Sequence, residues 1–84
     1  MSSSAAWRSW LPKLRRISGR ECEAILFAHG FVCVRQKGSH RILQKQMDGR
    51  TLTVPVPDHR ELALGTLAAI IRQSELSRSL FEAP

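Results

Sequence analysis

The chain lacks any hydrophobic run long enough to cross a membrane. Its 84 residues are 43% hydrophobic, but the longest apolar runs are only a few residues, against the roughly 20 that a spanning helix needs. The first residues, 1–7, show no basic segment followed by an apolar one, so we expect no secretory signal. A single small domain in the cytoplasm, with no membrane as a partner, is the resulting expectation.

Cysteine is scarce, and metal-binding spacings are missing. Cys22 and Cys33 match no zinc-site pattern, and His29, His40 and His59 are not spaced as metal ligands. No glycine-rich phosphate loop, Ser/His/Asp arrangement or paired carboxylates stand out either. We therefore expect no metal and no other cofactor. We interpret both cysteines as small buried hydrophobic residues, with no disulfide expected in a cytoplasmic protein.

Acidic residues are few: there are 7, against 13 lysines and arginines, giving a net charge of +6 and a pI near 10.7. None precedes Glu21, and Asp48 is the only one between residues 35 and 50. The alternative is ordinary surface charge, but clustering of the basic residues favours an anionic partner such as nucleic acid or an acidic protein.

Local signals predict a helix followed by three strands. Residues 18–21, Ser-Gly-Arg-Glu, form a capping box that opens a helix over 18–29, and Gly30 is a typical helix stop. The predicted strands cover residues 31–36, 39–47 and 50–56. Lys37-Gly38 and the Asp48-Gly49 hairpin signal join them, and Pro55 and Pro57 are expected to end the third strand.

A second helix is predicted after a loop over residues 58–63. Thr66 is its expected N-cap, and Ser77 is the expected cap of a short last turn. The fold class is therefore α+β, in the order α-β-β-β-α, with a three-stranded antiparallel sheet covered on one face by helices. Residues 1–16 are expected to be a partly disordered N-terminal extension, in which the role of Trp7 and Trp10 is open, and residues 17–84 a single domain.

The Asp48-Gly49 turn also predicts which side chains share a face of the sheet. It sets Leu43 opposite Val54 and Lys45 opposite Leu52, on the face that the helices cover. His40 has the opposite parity and is expected on the open face. The same parity places Arg41 on the covered side with Lys45, where long side chains can reach solvent at the sheet ends.

His40 is the candidate catalytic residue. Histidine transfers protons near neutral pH, and RNA supplies its own nucleophile, so a histidine among cations suits RNA cleavage without a metal. The alternative is that His40 has no catalytic role and is simply a polar residue on an exposed strand. Expected phosphate-binding groups lie around it: Arg35, Lys37, Gly38, Ser39, Arg41 and Lys45. His59 is a candidate second acid or base, although a plain loop role is favoured, and His29 is interpreted as structural.

Several motifs, in order, resemble one known family. They are Gly30-Phe31, Arg35-Gln36-x-Gly38-Ser39-His40, Val54-Pro55-x-Pro57-x-His59, Leu64-Gly65-Thr66-Leu67 and Ile70-Ile71-Arg72-Gln73. Together with Leu11-Pro12 and residues 17–19 they resemble the HicA toxins of type II toxin–antitoxin systems, over about residues 11–82. The chain departs from that family in its longer N-terminal tail and in Glu75-Leu76, where an Ala-Gly-like end is usual; a less sharp helix end is therefore expected.

The resemblance implies a double-stranded-RNA-binding-domain-like fold and a ribosome-independent mRNA interferase that arrests translation. It assigns catalysis to His40, and less securely places active-site cations at Arg35, Lys37 and Arg41. It also implies a HicB-type antitoxin that masks the active face, with operator DNA bound only through the toxin–antitoxin complex. Two alternatives stay open: a non-catalytic RNA-binding module of the same fold, and a regulator that binds only protein.

Overall fold

The computed structural model describes residues 14–82 of the chain. Its elements are α1 (Gly19–Ala28), β1 (Val32–Lys37), β2 (His40–Met47), β3 (Arg50–Pro57), α2 (Leu64–Ser74) and a 3₁₀ turn (Arg78–Phe81). This confirms the predicted α-β-β-β-α order and fold class. No helix within residues 14–82 is long and apolar enough to cross a membrane. Trp7 and Trp10 lie outside the described residues.

The capping box at the start of α1 is present as predicted. The Ser18 hydroxyl accepts from the Glu21 backbone N–H at 3.0 Å, and the Glu21 carboxylate accepts from the Ser18 N–H at 2.9 Å. These bonds, the backbone one first, lower the pKa of Glu21 below its ordinary value. At the other end of the helix, His29 Nδ1 lies 2.8 Å from the Ile25 carbonyl oxygen, in line with the structural role expected for it.

The three strands form an antiparallel sheet in the order β1-β2-β3. The register across the Asp48-Gly49 turn is as predicted, with Leu43 opposite Val54 and Lys45 opposite Leu52. The first turn lies one residue later than predicted, at positions 38–39, because Lys37 still pairs with His40.

The third strand continues through its prolines, contrary to the prediction. Pro55 pairs with Ile42, and Pro57 pairs with His40 at the end of the strand. Proline has no N–H to donate, and this is tolerated because β3 is an edge strand, with no ladder on its outer side within residues 14–82.

The helices cover one face of the sheet and bury a single core. Its central side chains are fully enclosed: Leu26, Leu43, Val54, Val56, Leu67, Ala68 and Phe81. Leu14 is also buried and pairs with Glu82, so the packed structure includes part of the segment expected to be an extension.

Both Cys22 and Cys33 are free thiols. Cys22 is buried, and desolvation raises the pKa of its thiol to about 12, whereas Cys33 is half-buried.

Both ends of α2 differ from the sequence-based expectation. The helix begins at Leu64 with Ala63 as its N-cap and no side-chain cap, so Thr66 does not cap it. It ends sharply at Glu75, whose φ of 59° is left-handed and whose N–H bonds to the Ile71 and Arg72 carbonyls. By contrast, Ser77 caps the final turn as predicted, accepting from the Ser79 N–H.

Candidate active site

His40 opens β2 on the face of the sheet that the helices leave uncovered. Its ladder partners are Lys37 on β1 and Pro57 on β3. Directly opposite residues in an antiparallel ladder share a face, with Cβ atoms about 4.5–5.5 Å apart. His40 is exposed, and its imidazole makes no side-chain hydrogen bond to another residue of the 14–82 range. Both ring nitrogens are therefore available for proton transfer.

A bulge in β1 decides which cations join His40. Cys33 pairs with Leu43, but the next pair is Arg35 with Ile42, so Val34 is an extra residue in the ladder. The bulge places Arg35 and Lys37 on the open face with His40. With regular pairing, Arg35 would oppose Arg41 on the covered face.

The charges of these two cations are not neutralised by neighbours. Arg35 and Lys37 are both exposed, and no ion pair joins either to an acidic group within the described part of the chain. An anion approaching the open face would meet both guanidinium and ammonium donors beside the imidazole. The arrangement suits binding of a phosphate next to a proton-transfer group.

Gly38 and Ser39 form the exposed turn that leads into His40. The Ser39 carbonyl accepts from the Asp58 N–H at 2.7 Å, and the Gln36 side chain donates to the Gly38 carbonyl at 3.2 Å. Gly38 has a φ of +61°, which favours glycine. The bond between Ser39 and Asp58 thus joins this turn to the residue that follows β3, next to the His40–Pro57 pair.

Arg41 and Lys45 are not brought together with His40. Both lie on the covered face, as their parity predicts. Arg41 Nε is 2.9 Å from Oε2 of the buried Glu23 on α1, an ion pair without hydrogen-bond alignment. The Lys45 ammonium lies 5.9 Å from the centroid of the Phe31 ring. Two of the six predicted phosphate-binding residues, Arg41 and Lys45, therefore interact with Glu23 and Phe31 on the covered face.

His59 follows β3 in an exposed loop. Its carbonyl accepts from the Gly19 N–H at 2.8 Å, which joins this loop to the start of α1. Its ring is outside the groove that His40 lines. Within residues 14–82, no three or more His, Cys, Asp or Glu side chains group as potential metal ligands.

A groove of about 380 Å³ lies beside His40, between β3 and α2. It is lined by His40, Pro55, Pro57, Gly65, Thr66, Ala69, Ile70 and Gln73. Sequence reasoning did not find it. The parity of β3 could have indicated Pro55 and Pro57, but nothing in the sequence shows which flank of α2 lies over them.

Two comparisons with known proteins bear on the family of the chain. A family model described as HicA toxin of bacterial toxin–antitoxin matches residues 19–76, from the start of α1 to just beyond α2. A comparison with curated proteins finds no significant match. The matched region is well over half of the chain and includes His40, its neighbouring cations and the groove. The chain therefore belongs to the HicA toxin family of bacterial toxin–antitoxin systems.

Proposed function

We propose that this toxin is a metal-independent, ribosome-independent endoribonuclease that cleaves single-stranded mRNA and so arrests translation. The observation that carries the proposal is the exposed His40 imidazole, directly opposite Lys37 and on the same face as Arg35. Neither cation has an acidic partner within residues 14–82. Such a site offers proton transfer and phosphate binding at one place.

The chemistry needs only the groups that this face presents. The ribose 2′-hydroxyl attacks the adjacent phosphate, and His40 acts as general base for that proton or as general acid for the departing 5′-oxygen. Lys37 and Arg35 stabilise the charge that builds on the phosphorane. The products are a cyclic phosphate and a 5′-hydroxyl. Candidates for the second proton carrier are His59, Lys37 and water.

The proposal extends to the partners of the toxin. A HicB-type antitoxin would inhibit it by masking the open face around His40, in the cytoplasm where mRNA is found. Operator DNA would be contacted only through the toxin–antitoxin complex. The exposed apolar side chains of Val32 and Val34, on the edge strand next to the cations, give such a partner apolar surface to bind.

The test is RNA cleavage in EDTA by purified wild type beside His40→Ala, with analysis of the new RNA ends. We expect cleavage with cyclic phosphate ends by wild type and a loss of at least 100-fold in His40→Ala, the scale of one acid–base group. His59→Ala tests whether His59 is the second proton carrier: a loss comparable to that of His40→Ala would assign it, and full activity would exclude it. Equal cleavage by wild type and a folded His40→Ala would refute the assignment.

The alternative is a non-catalytic RNA-binding module of the same fold, favoured by the fact that, in the part of the chain that the structure describes, His40 is the one histidine lining the groove. In that case RNA stays intact with wild type, and His40→Ala binds RNA as well as wild type. The affinity would still fall steeply with salt, because phosphate contacts release counterions. Weak binding that is insensitive to salt would instead indicate a regulator that binds only protein.

A further inference from the structure

The groove between β3 and α2 lies beside the candidate catalytic residue. Its volume is about 380 Å³, and it is open to solvent rather than enclosed, so it suits a group laid against its wall. His40 forms part of its wall. RNA with a phosphate at His40 and Lys37 would therefore bring a neighbouring nucleotide to the mouth of the groove.

The lining combines an apolar surface with polar groups along one flank. Pro55 and Ala69 supply the accessible apolar surface, on which the flat face of a base can pack, and the buried Pro57 and Ile70 lie beneath it. Bases in single-stranded RNA are commonly bound by such packing, together with hydrogen bonds to their edges.

Two polar side chains of α2 reach the groove without another partner. Thr66 and Gln73 lie two helical turns apart on the same flank of α2. Neither side chain makes a hydrogen bond to another residue in the described part of the chain. The Gln73 amide offers a donor and an acceptor side by side, and the Thr66 hydroxyl can serve as either. Because the two residues begin about 10 Å apart along the helix, they suit one nucleobase approached from its two ends.

Gly65 lies in the wall of the groove, near the start of α2. A Cβ at this position would meet nothing within 4 Å, so its space is not filled by the fold itself. A larger residue at position 65 therefore tests the groove without replacing His40, Lys37 or Arg35.

We propose that this groove is a nucleobase subsite, in which Thr66 and Gln73 recognise the edge of the base next to the scissile phosphate. The proposal rests on the RNA cleavage proposed above and adds a determinant of cleavage-site preference. Gln73 and Thr66 are specificity residues in this scheme, because they contact the base and not the reacting atoms.

Binding is measured directly by NMR titration of ¹⁵N-labelled protein with each of the four ribonucleoside monophosphates. We expect amide shifts at Gly65, Thr66 and Gln73, with at least one nucleotide preferred. Gln73→Ala should weaken the binding of the preferred nucleotide about tenfold, which corresponds to the loss of one or two hydrogen bonds. Gln46→Ala is the matched control, because Gln46 lies near the opposite end of β2. No shift in these amides at millimolar nucleotide would overturn the subsite.

Mapping of cleavage sites on one RNA separates this inference from the proposed function. If wild type cleaves, we expect Gln73→Ala to broaden the set of cleaved sites and Gly65→Leu to reduce cleavage. An unchanged cleavage pattern in Gln73→Ala would refute the specificity role while leaving catalysis intact. Absence of cleavage by wild type would refute the endoribonuclease, and the NMR titration would still decide whether the groove binds bases.

Discussion

At the scale of single residues, the two lysines of the expected phosphate site have different surroundings. Lys37 is exposed directly opposite His40, whereas Lys45 lies on the covered face near the Phe31 ring. A charge stabilises a phosphorane only if it reaches the reacting phosphate, so the two should contribute very differently.

We expect Lys37→Ala to lower the rate of RNA cleavage by about tenfold or more, because a hydrogen bond to a charged group contributes roughly 1.5–3 kcal/mol. Lys45→Ala should change the rate less than twofold, since it removes only a contact with Phe31 and the nearby Gly30. Single-turnover cleavage of one RNA by both variants is the measurement. A comparable loss in both would show that the cleaved phosphate does not lie on the open face.

At the scale of elements, close packing at the start of α1 fixes the end of β3. A Cβ added to Gly19 would overlap the carbonyl oxygen of Pro57, the residue that pairs with His40. The Gly19 N–H also donates to the His59 carbonyl. The helix start, the strand end and the candidate catalytic residue are thus held together by backbone contacts that need a glycine.

We expect Gly19→Ala to lower the free energy of unfolding by about 1–3 kcal/mol, the usual cost of overpacking against atoms that cannot move aside. Gly65→Ala is the matched control, since its Cβ would enter open space and alanine favours the helix by roughly 0.5–1 kcal/mol. Urea denaturation followed by circular dichroism measures both. Equal stability of Gly19→Ala and wild type would argue against the close approach of α1 to Pro57.

The C-terminus of α2 shows how an element end can depend on a distant residue. Glu75 adopts a left-handed conformation that usually favours glycine. Its carboxylate is bound by both terminal nitrogens of Arg50, at 2.6 and 2.9 Å, at the start of β3. This exposed ion pair contributes at most about 1 kcal/mol, which is enough to offset part of the roughly 1–2 kcal/mol cost of the left-handed conformation.

At the scale of the whole molecule, stability rests on one small core. Domains of this size unfold with a free energy of about 5–15 kcal/mol, so one large cavity removes much of it. Leu43 lies at the centre of β2 and is completely buried against the helices.

We expect Leu43→Ala to reduce the free energy of unfolding by roughly 2–5 kcal/mol and to abolish toxicity through unfolding. Val32→Ala, at an exposed position of β1, should change the free energy of unfolding by no more than about 0.5 kcal/mol. Thermal and urea unfolding of the purified variants, beside a growth assay in cells, makes the comparison. A folded and fully stable Leu43→Ala would contradict the assignment of the core face.

Much of the architecture was predictable because its signals are local. The capping box places the start of α1, and the Asp48-Gly49 turn sets the pairing of β2 with β3 and hence the face of His40. The predictions for Thr66 and the end of β3 were wrong for the same kind of reason. Whether a helix starts earlier, or a proline stays in a strand, depends on neighbours that the local pattern does not contain.

The sequence by itself determined the order of elements, the covered and open faces of β2, and His40 as the candidate catalytic residue, because turn chemistry and two-residue periodicity act over short distances. Only the tertiary structure decided which cations lie beside His40. The bulge at Val34 places Arg35 and Lys37 on the face of His40, whereas Arg41, already on the covered face, pairs with the buried Glu23. The groove likewise exists only once α2 packs beside β3, since contacts between distant segments place it there.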